Sequence, residues 1–455
     1  MAIDRSGLAI LMAREERAFV AAHPRSAELF ERARRSLLGG VPMNWMSKWP
    51  GAFPPFVNDA AGGRFRCVDG HEYVDLCLGD TGAMTGHSPA PTVAAIHDRI
   101  ERGITFMLPT EDAIWVGEEL QRRFGLPFWQ FTLSATDANR FAIRLARHIT
   151  RRPRILVYNY CYHGTVDETF ITVRAGNAAA REGNLGPPVD PAVTTRVIEW
   201  NDVDALEAAL AHGDIAAVLA EPVMTNVGIV EPAPGYHDAL RELTRRHGTL
   251  LIIDETHTIC AGPGGYTREE RLKPDALVIG KPIAGGLPAG TYGFTKAVAE
   301  RIAASIELEH TDVGGIGGTL AGNALSLAAM RATLGSVLTD DAYARTIPLA
   351  ERWTDGVQAA IDATRLPWHV TRLGCRAEYL FGSARPRNGA EAAAMDDFGL
   401  QRFTHLYALN RGVLLTPFHN MALVAPQATE ADIDRHTELF AEMARELRDP
   451  ASPVL

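Results

Sequence analysis

The chain of 455 residues is short of several things, and each shortage excludes a class of protein. It has five cysteines, at 67, 77, 161, 260 and 375, odd in number and never spaced as Cys-x-x-Cys. That pattern supports neither a disulfide framework nor a zinc site, so no metal is expected and a reduced, cytoplasmic setting is. No stretch approaches the roughly 18 consecutive apolar residues that suggest a membrane span. The opening Met-Ala-Ile-Asp-Arg-Ser lacks the basic start and unbroken apolar run of a signal peptide, so no membrane partner is expected. Nor is there an excess of basic charge: 45 Lys and Arg stand against 55 Asp and Glu, a net charge of -10. Nucleic acid is therefore not an expected partner, since phosphate binding needs a basic face. No Gly-x-Gly-x-x-Gly follows an early strand, which disfavours a nucleotide-dependent oxidoreductase.

What is present is material for a large core. Hydrophobic residues make up 46% and charged residues 22%, the balance of an ordinary globular protein of more than one domain. Helical spacing of apolar residues runs from the start to about residue 38, stopping at Gly39-Gly40. Residues 41–60, with four prolines, Trp45 and Trp49, fit neither helical nor strand period. From about residue 90, helical blocks alternate with apolar runs at 130–133, 155–158, 216–220, 250–253 and 276–279. Runs that are apolar on both faces and separated by helices predict a parallel sheet covered on both sides. Several end in polar clusters: Ser134-Ala135-Thr136, Glu221-Pro222, Asp254-Glu255 and Gly280-Lys281. In such sheets the ligand crevice lies beyond the carboxyl ends of the strands, so chemistry should gather there. A helix follows Asn323 to about 338. Helices at 340–362, 391–411 and 429–447, with strands near 369–382 and 412–425, then predict a second, α+β domain.

The segment 250–294 is the most informative. One apolar strand ends in Asp254 and another in Lys281, just before Pro282-Ile283-Ala284-Gly285-Gly286. A partly desolvated lysine amine can act as a nucleophile. Alone, such a lysine snorkels from a strand end, and such an aspartate caps a helix. Together they suit a lysine-bound pyridoxal phosphate whose ring nitrogen stays protonated against Asp254, so that the ring draws electrons from the substrate. The segment Ser134 to Asn139 follows a strand and opens a helix, whose free N–H groups and the Ser134 and Thr136 hydroxyls could hold a phosphate; Ser-x-x-Asp is equally a capping box. Tyr162, after the next strand, could stack on a ring or serve as core.

Read together, these segments resemble the class III aminotransferases of pyridoxal-phosphate fold type I, the group that includes glutamate-1-semialdehyde aminomutase. The resemblance runs from Gly39-Gly40-Val41 to Arg435. The family's Ser-Gly-Thr-Glu-Ala stands as Ser134 to Ala138, Tyr-His-Gly as Tyr162-His163-Gly164, and Asp-Glu-Val as Asp254-Glu255-Thr256. The lysine motif stands as Gly280-Lys281, and Gly-Thr-Phe-x-Gly-Asn-Pro as Gly318 to Ala324. The fold implied is α/β, with a large domain built on a mostly parallel seven-stranded sheet covered by helices and a smaller α+β domain from the N- and C-terminal segments. The division expected is 1–59, 60–325 and 326–455, the first and last forming the small domain.

The resemblance also implies roles. Lys281 would form the Schiff base and shuttle a proton, Asp254 would pair with the ring nitrogen, and Tyr162, beside His163, would stack on the ring. Ser134, Ala135 and Thr136 would take the phosphate, and Thr319 would reach the phosphate of a neighbouring subunit in an obligatory homodimer. Glu221 matches a family acid near the cofactor. His257 stands where relatives carry Gln or Met, and could bond the cofactor's phenolic oxygen or serve the structure. Ala135 replaces a family glycine, which would cost about 1 kcal/mol if the position needs positive φ. In the aminomutase-like branch an arginine in the Gly-Gly-Val segment holds the substrate carboxylate. Counting from Gly39, Met46 occupies that position, with Trp45 and Trp49 beside it, which implies an apolar substrate pocket. The implied function is aminotransfer by a ping-pong mechanism from an amine or ω- or β-amino donor to a keto acid such as pyruvate, or to an aldehyde or ketone. The alternative is an aminomutase or another pyridoxal-phosphate reaction on the same scaffold. A non-catalytic member would be expected to have lost Lys281 or Asp254, and both are present.

Overall fold

The computed structural model describes residues 3–305 and 314–449, and in it the chain divides into two compact units. One unit comprises Met1–Pro89, Asp341–Arg385 and Met395–Leu455; the other comprises Ala90–Asp340 and Pro386–Ala394. No helix among the described residues is long and apolar enough to cross a membrane.

The second unit is built on a seven-stranded sheet. Its strands are β1 (Phe128–Thr132), β2 (Arg154–Tyr158), β3 (Thr195–Ile198), β4 (Ile215–Ala220), β5 (Leu250–Asp254), β6 (Ala276–Ile279) and β7 (Gly290–Phe294), in the order β1-β7-β6-β5-β4-β2-β3. β6, β5, β4, β2 and β3 run parallel, and β7 is antiparallel to both its neighbours. Every residue of β4, β5 and β6 is buried, as continuous apolar runs covered on both faces require. The five predicted runs are all strands. β3 and β7 were not predicted, and β7 has a physical reason. A Cβ at Gly290 would lie 2.4 Å from the Ser134 backbone, and one at Gly293 would lie 2.7 Å from the Trp129 ring. The close packing that demands glycine also removes the apolar signature of a strand.

Four helices of this unit matter below: α1 (Glu111–Phe124), α2 (Ala135–Thr150), α3 (Tyr236–Arg246) and α4 (Ala324–Ser336). Helix α2 starts where the Ser134 hydroxyl accepts the Asp137 N–H at 3.2 Å, and it buries Ala138, Asn139, Ala142, Ile143 and Ala146 along one face.

The first unit holds a four-stranded sheet, in which Val57–Ala61, Arg64–Cys67 and Glu72–Asp75 pair in sequence and Val413–Leu414 joins Glu72–Asp75 in parallel. A three-stranded antiparallel sheet (His369–Leu373, Arg376–Leu380, Met421–Leu423) and the helices Asp340–Thr364, Phe398–Asn410 and Glu430–Arg448 complete its C-terminal part. Within this unit Val74 and Asp75 pair with Val413 and Leu414, which joins the N-terminal strands to the C-terminal part of the chain. The single N-terminal helix expected to residue 38 is instead two, Arg5–Ala22 and Pro24–Ala33. Pro24 lacks the N–H that would continue the first, so the chain restarts there. His23, at the break, is buried with its ring stacked on Phe19 and its Nε2 2.6 Å from the Tyr73 hydroxyl.

Candidate active site

The carboxyl ends of the strands carry the expected polar residues, and the sheet register brings several of them together. Ala220 pairs with Ile253 and Asp254 pairs with Val278, so Glu221, Asp254 and Lys281 leave three adjacent strands. Gly280 lies against the start of α2, where a Cβ would stand 2.9 Å from the Ala135 nitrogen. Gly164, at φ +75, packs on Thr136, whose hydroxyl accepts the Thr165 N–H at 3.1 Å.

Asp254 is the centre of the arrangement. Its Oδ2 accepts from His163 Nδ1 at 2.9 Å and from Asn139 Nδ2 at 2.8 Å, and its Oδ1 accepts from the Thr256 N–H at 3.1 Å. All three side chains are buried, Asp254 being 3% exposed and His163 1%. Burial works against a charged carboxylate here, but His163, Thr256 and Asn139 outweigh it and hold Asp254 below the usual carboxylate range. Burial likewise works against the imidazolium, while the Cys161 sulfur and the Asp254 carboxylate outweigh it and raise the His163 pKa to about 10. The result is a buried carboxylate kept anionic.

Lys281 occupies the first position after β6 and Gly280, at φ +51, in the left-handed region that non-glycine residues rarely enter. Such strain persists where the surroundings over-determine it, and it gathers at functional sites. Its Nζ lies 2.7 Å from His257 Nε2. Ala135 is the first residue of α2 and is not among the positive-φ residues, so the cost attached to a glycine replacement there does not arise. Ser134 serves as the helix cap, also donating to Asp137 Oδ2 at 3.1 Å. Tyr162, half-buried, presents its ring edge-on to Phe170 at 6.4 Å. Glu221 is buried and accepts from the Thr225 hydroxyl. Thr319 is exposed in a turn before α4. Trp45, Met46 and Trp49 belong to the other unit, where Trp45 meets Phe418 edge-on at 5.4 Å and the Lys48 amine lies 5.7 Å from the Trp45 ring.

Two buried polar residues, one on helix α2 and one after β5, have roles that the sequence does not assign. The sequence places Asn139 in the candidate phosphate segment, whereas its side chain reaches Asp254; its signal is a polar residue in an otherwise apolar helical stripe with Ala142, Ile143 and Ala146. Glu255 is buried and accepts from the Thr258 hydroxyl and the Thr267 N–H, each at 2.5 Å, and from the Tyr266 N–H at 3.1 Å. Burial pushes its pKa up. It anchors the loop after β5, and nothing in the sequence separates it from Asp254 next door.

A buried anionic carboxylate, a strand-end lysine and the open first turn of a 16-residue helix converge here. Within the site, His163 Nε2 and Thr256 Oγ1 are buried polar atoms with no hydrogen-bond partner among the described residues. These features fit a ligand with a protonated ring nitrogen, an aldehyde and a phosphate, as pyridoxal phosphate has.

Comparison with known proteins agrees. A glutamate-1-semialdehyde 2,1-aminomutase of Sorangium cellulosum is 35% identical over 423 residues, 90% of this chain and 94% of that protein. A glutamate-1-semialdehyde-aminomutase of Pseudomonas aeruginosa PAO1, known as a crystal structure, is 52% identical with a TM-score of 0.96, covering 98% of this chain and all of that one. A lysine-to-alanine variant of the Pseudomonas enzyme is described in complex with PMP. An omega-transaminase of Sphaerobacter thermophilus superposes with a TM-score of 0.84 at 26% identity, over 94% of this chain and 99% of that one. The family description "Aminotransferase class-III" matches residues 45–443. A match that runs over nearly the whole chain shows that it belongs to the class III aminotransferase family of pyridoxal-phosphate enzymes.

Proposed function

We propose that the protein is an aminomutase-type enzyme, moving an amino group between neighbouring carbons of one small substrate. The observation that carries this reading is likeness along the whole chain: 52% identity over 98% of it with the Pseudomonas aminomutase. The residues alone favour transfer between two molecules, while relatives matched along nearly their whole length support the internal shift better.

Bound pyridoxal phosphate supplies an electron sink for the carbanion of the substrate. The chain's own residues do the rest. Asp254, kept charged by His163 and Asn139, would pair with the ring nitrogen and keep it protonated. The first turn of α2, at Ser134, Ala135 and Thr136, would take the phosphate, and Tyr162 would stack on the ring. Lys281 is the covalent partner and moves the proton, with Glu221 and His257 flanking the cofactor. Thr319, exposed in the turn before α4, would reach the site of a second copy in a homodimer. If the Gly-Gly-Val segment reads the substrate, Trp45, Met46 and Trp49 offer it apolar side chains rather than a charge. All five cysteines are buried, which suits a reducing cytoplasm.

One observation favours a second reading, transfer from an amine or ω-amino donor to a keto acid. Met46 stands where the aminomutase-like branch has its carboxylate-binding arginine, and the likeness to the omega-transaminase points the same way. The deciding experiment incubates the loaded enzyme with glutamate 1-semialdehyde and no keto acid, and separately with a panel of amines and pyruvate. Movement of the amino group from C2 to C1 in the first mixture supports the aminomutase reading. Alanine from the second without that conversion selects the transaminase, and neither product removes both.

A further inference from the structure

The strand-end loop after β5 places one titratable side chain on the reactive lysine. Lys281 Nζ lies 2.7 Å from His257 Nε2, a hydrogen-bond distance between two nitrogens. The two acidic neighbours of His257 are engaged elsewhere. Asp254 faces His163 and Asn139, and Glu255 faces Thr258, Tyr266 and Thr267. The lysine is held to this contact from its root: its own φ of +51 and the packing of Gly280 on Ala135 fix where the side chain leaves the backbone. Both His257 and Lys281 are partly buried, so bulk water is a poor competitor for the proton between them.

We propose that His257 is a catalytic residue that takes the proton of the Lys281 ammonium and so makes the lysine a nucleophile. An ammonium has no lone pair to offer, and a lysine must lose a proton before it attacks a carbonyl. An imidazole with its proton on Nδ1 presents the Nε2 lone pair as acceptor, and imidazole is the side chain suited to taking and returning protons near neutral pH. The step balances without another reactant. The N–H bond of Nζ breaks with its electron pair staying on nitrogen, and the proton bonds to Nε2. A neutral amine and an imidazolium result, with the total charge unchanged. Condensation of that amine with an aldehyde then forms C=N and releases water.

The inference holds for either reading of the overall reaction, and its test uses no amino substrate, so its failure and theirs are distinguishable. Apo-protein is mixed with pyridoxal 5'-phosphate, and covalent loading is followed by visible absorbance and by mass after borohydride reduction. His257→Gln keeps a hydrogen-bond acceptor but takes no proton; it should load about a hundredfold more slowly, the lower end of what a positioned proton acceptor supplies. His257→Ala should be slowed as much and should recover speed with added imidazole, in proportion to the free base. A merely structural histidine would not be replaced by imidazole in solution. Slowing of less than about tenfold in His257→Gln, or slowing in His257→Ala that imidazole does not reverse, overturns the proposal.

Discussion

Nδ1 of His163 lies 2.9 Å from Oδ2 of Asp254, and neither side chain reaches solvent to any useful extent. The pair has a predictable signature in stability against pH. His163 has a raised pKa of about 10, so its contribution is complete below the unfolded value of about 6.5 and is lost as the pH rises through 10. Asp254 has a lowered pKa, so its contribution is complete above about 3.9 and is lost as the pH falls. Together they stabilise the apo-protein fully only between about pH 4 and 6.5. His163→Phe, which fills the space but leaves the buried carboxylate unpaired, should cost about 3 kcal/mol near pH 6. Denaturant unfolding of both proteins should show that gap narrowing as the pH is raised toward 10. A gap independent of pH would mean that His163 folds as a neutral ring.

Gly164→Ala should damage the site through Thr136. The glycine sits at φ +75, and a Cβ there would fall 2.0 Å from the Thr136 hydroxyl that accepts the Thr165 N–H. Either the hydroxyl or the turn must move, and both lie at the start of α2, the edge proposed to take the phosphate. Gly213→Ala is the control: φ is +72 and nothing lies within 4 Å of the new methyl, so only backbone strain of about 1 kcal/mol is added. Titration of each apo-protein with pyridoxal phosphate should show weakened affinity in Gly164→Ala and unchanged affinity in Gly213→Ala.

Much of this was legible because buried parallel strands announce themselves. The runs at 155–158, 216–220, 250–253 and 276–279 have no polar residue to alternate with, and all are strands. Asp254, Glu221 and Lys281 were legible as polar residues directly beyond such runs. β7 was not, because its glycines answer to neighbours distant in sequence, Ser134 and Trp129. Asn139 was not, because its partner Asp254 is 115 residues away, and a polar residue in a helical stripe does not say what it faces. Pairings of that kind are decided by the sheet order, which the chain does not spell out locally.

A second buried charge carries a prediction about the scaffold. Arg123, 2% exposed at the end of α1, donates to Glu119 at 2.8 Å, to the Pro263 carbonyl at 2.8 Å, and to the Leu334 and Leu338 carbonyls at 2.7 and 2.9 Å. One guanidinium thus satisfies the end of α4 and the loop after β5 at once. Arg123→Met preserves much of the volume and leaves Glu119 to Arg122, but strands three carbonyls, and should destabilise the protein by about 3 kcal/mol. Arg123→Lys, with three donors on a single nitrogen instead of a planar fork, should recover only part of it. Thermal unfolding of the two variants beside the parent checks the order; equal melting temperatures for Met and Lys would show that packing, not hydrogen bonding, is what Arg123 contributes.

The substrate question turns on Met46, 41% exposed and flanked in sequence by Trp45 and Trp49. If the Gly-Gly-Val segment reads the substrate as it does in the aminomutase-like branch, a thioether there leaves a carboxylate without its charge partner. Met46→Arg restores a guanidinium, and a charge-assisted pair of that kind is worth about 1.5 to 3 kcal/mol, or roughly tenfold to a hundredfold. The variant should therefore gain that factor in kcat/KM for glutamate 1-semialdehyde and lose activity toward uncharged hydrophobic amines, measured side by side with the parent. No gain for the carboxylated substrate, with the parent already converting it well, would mean that another cation reads the carboxylate and that the tryptophans flanking Met46 serve packing alone. A loss on both substrates would instead place Met46 in a role that tolerates no charge, and the apolar reading of the segment would stand on that result.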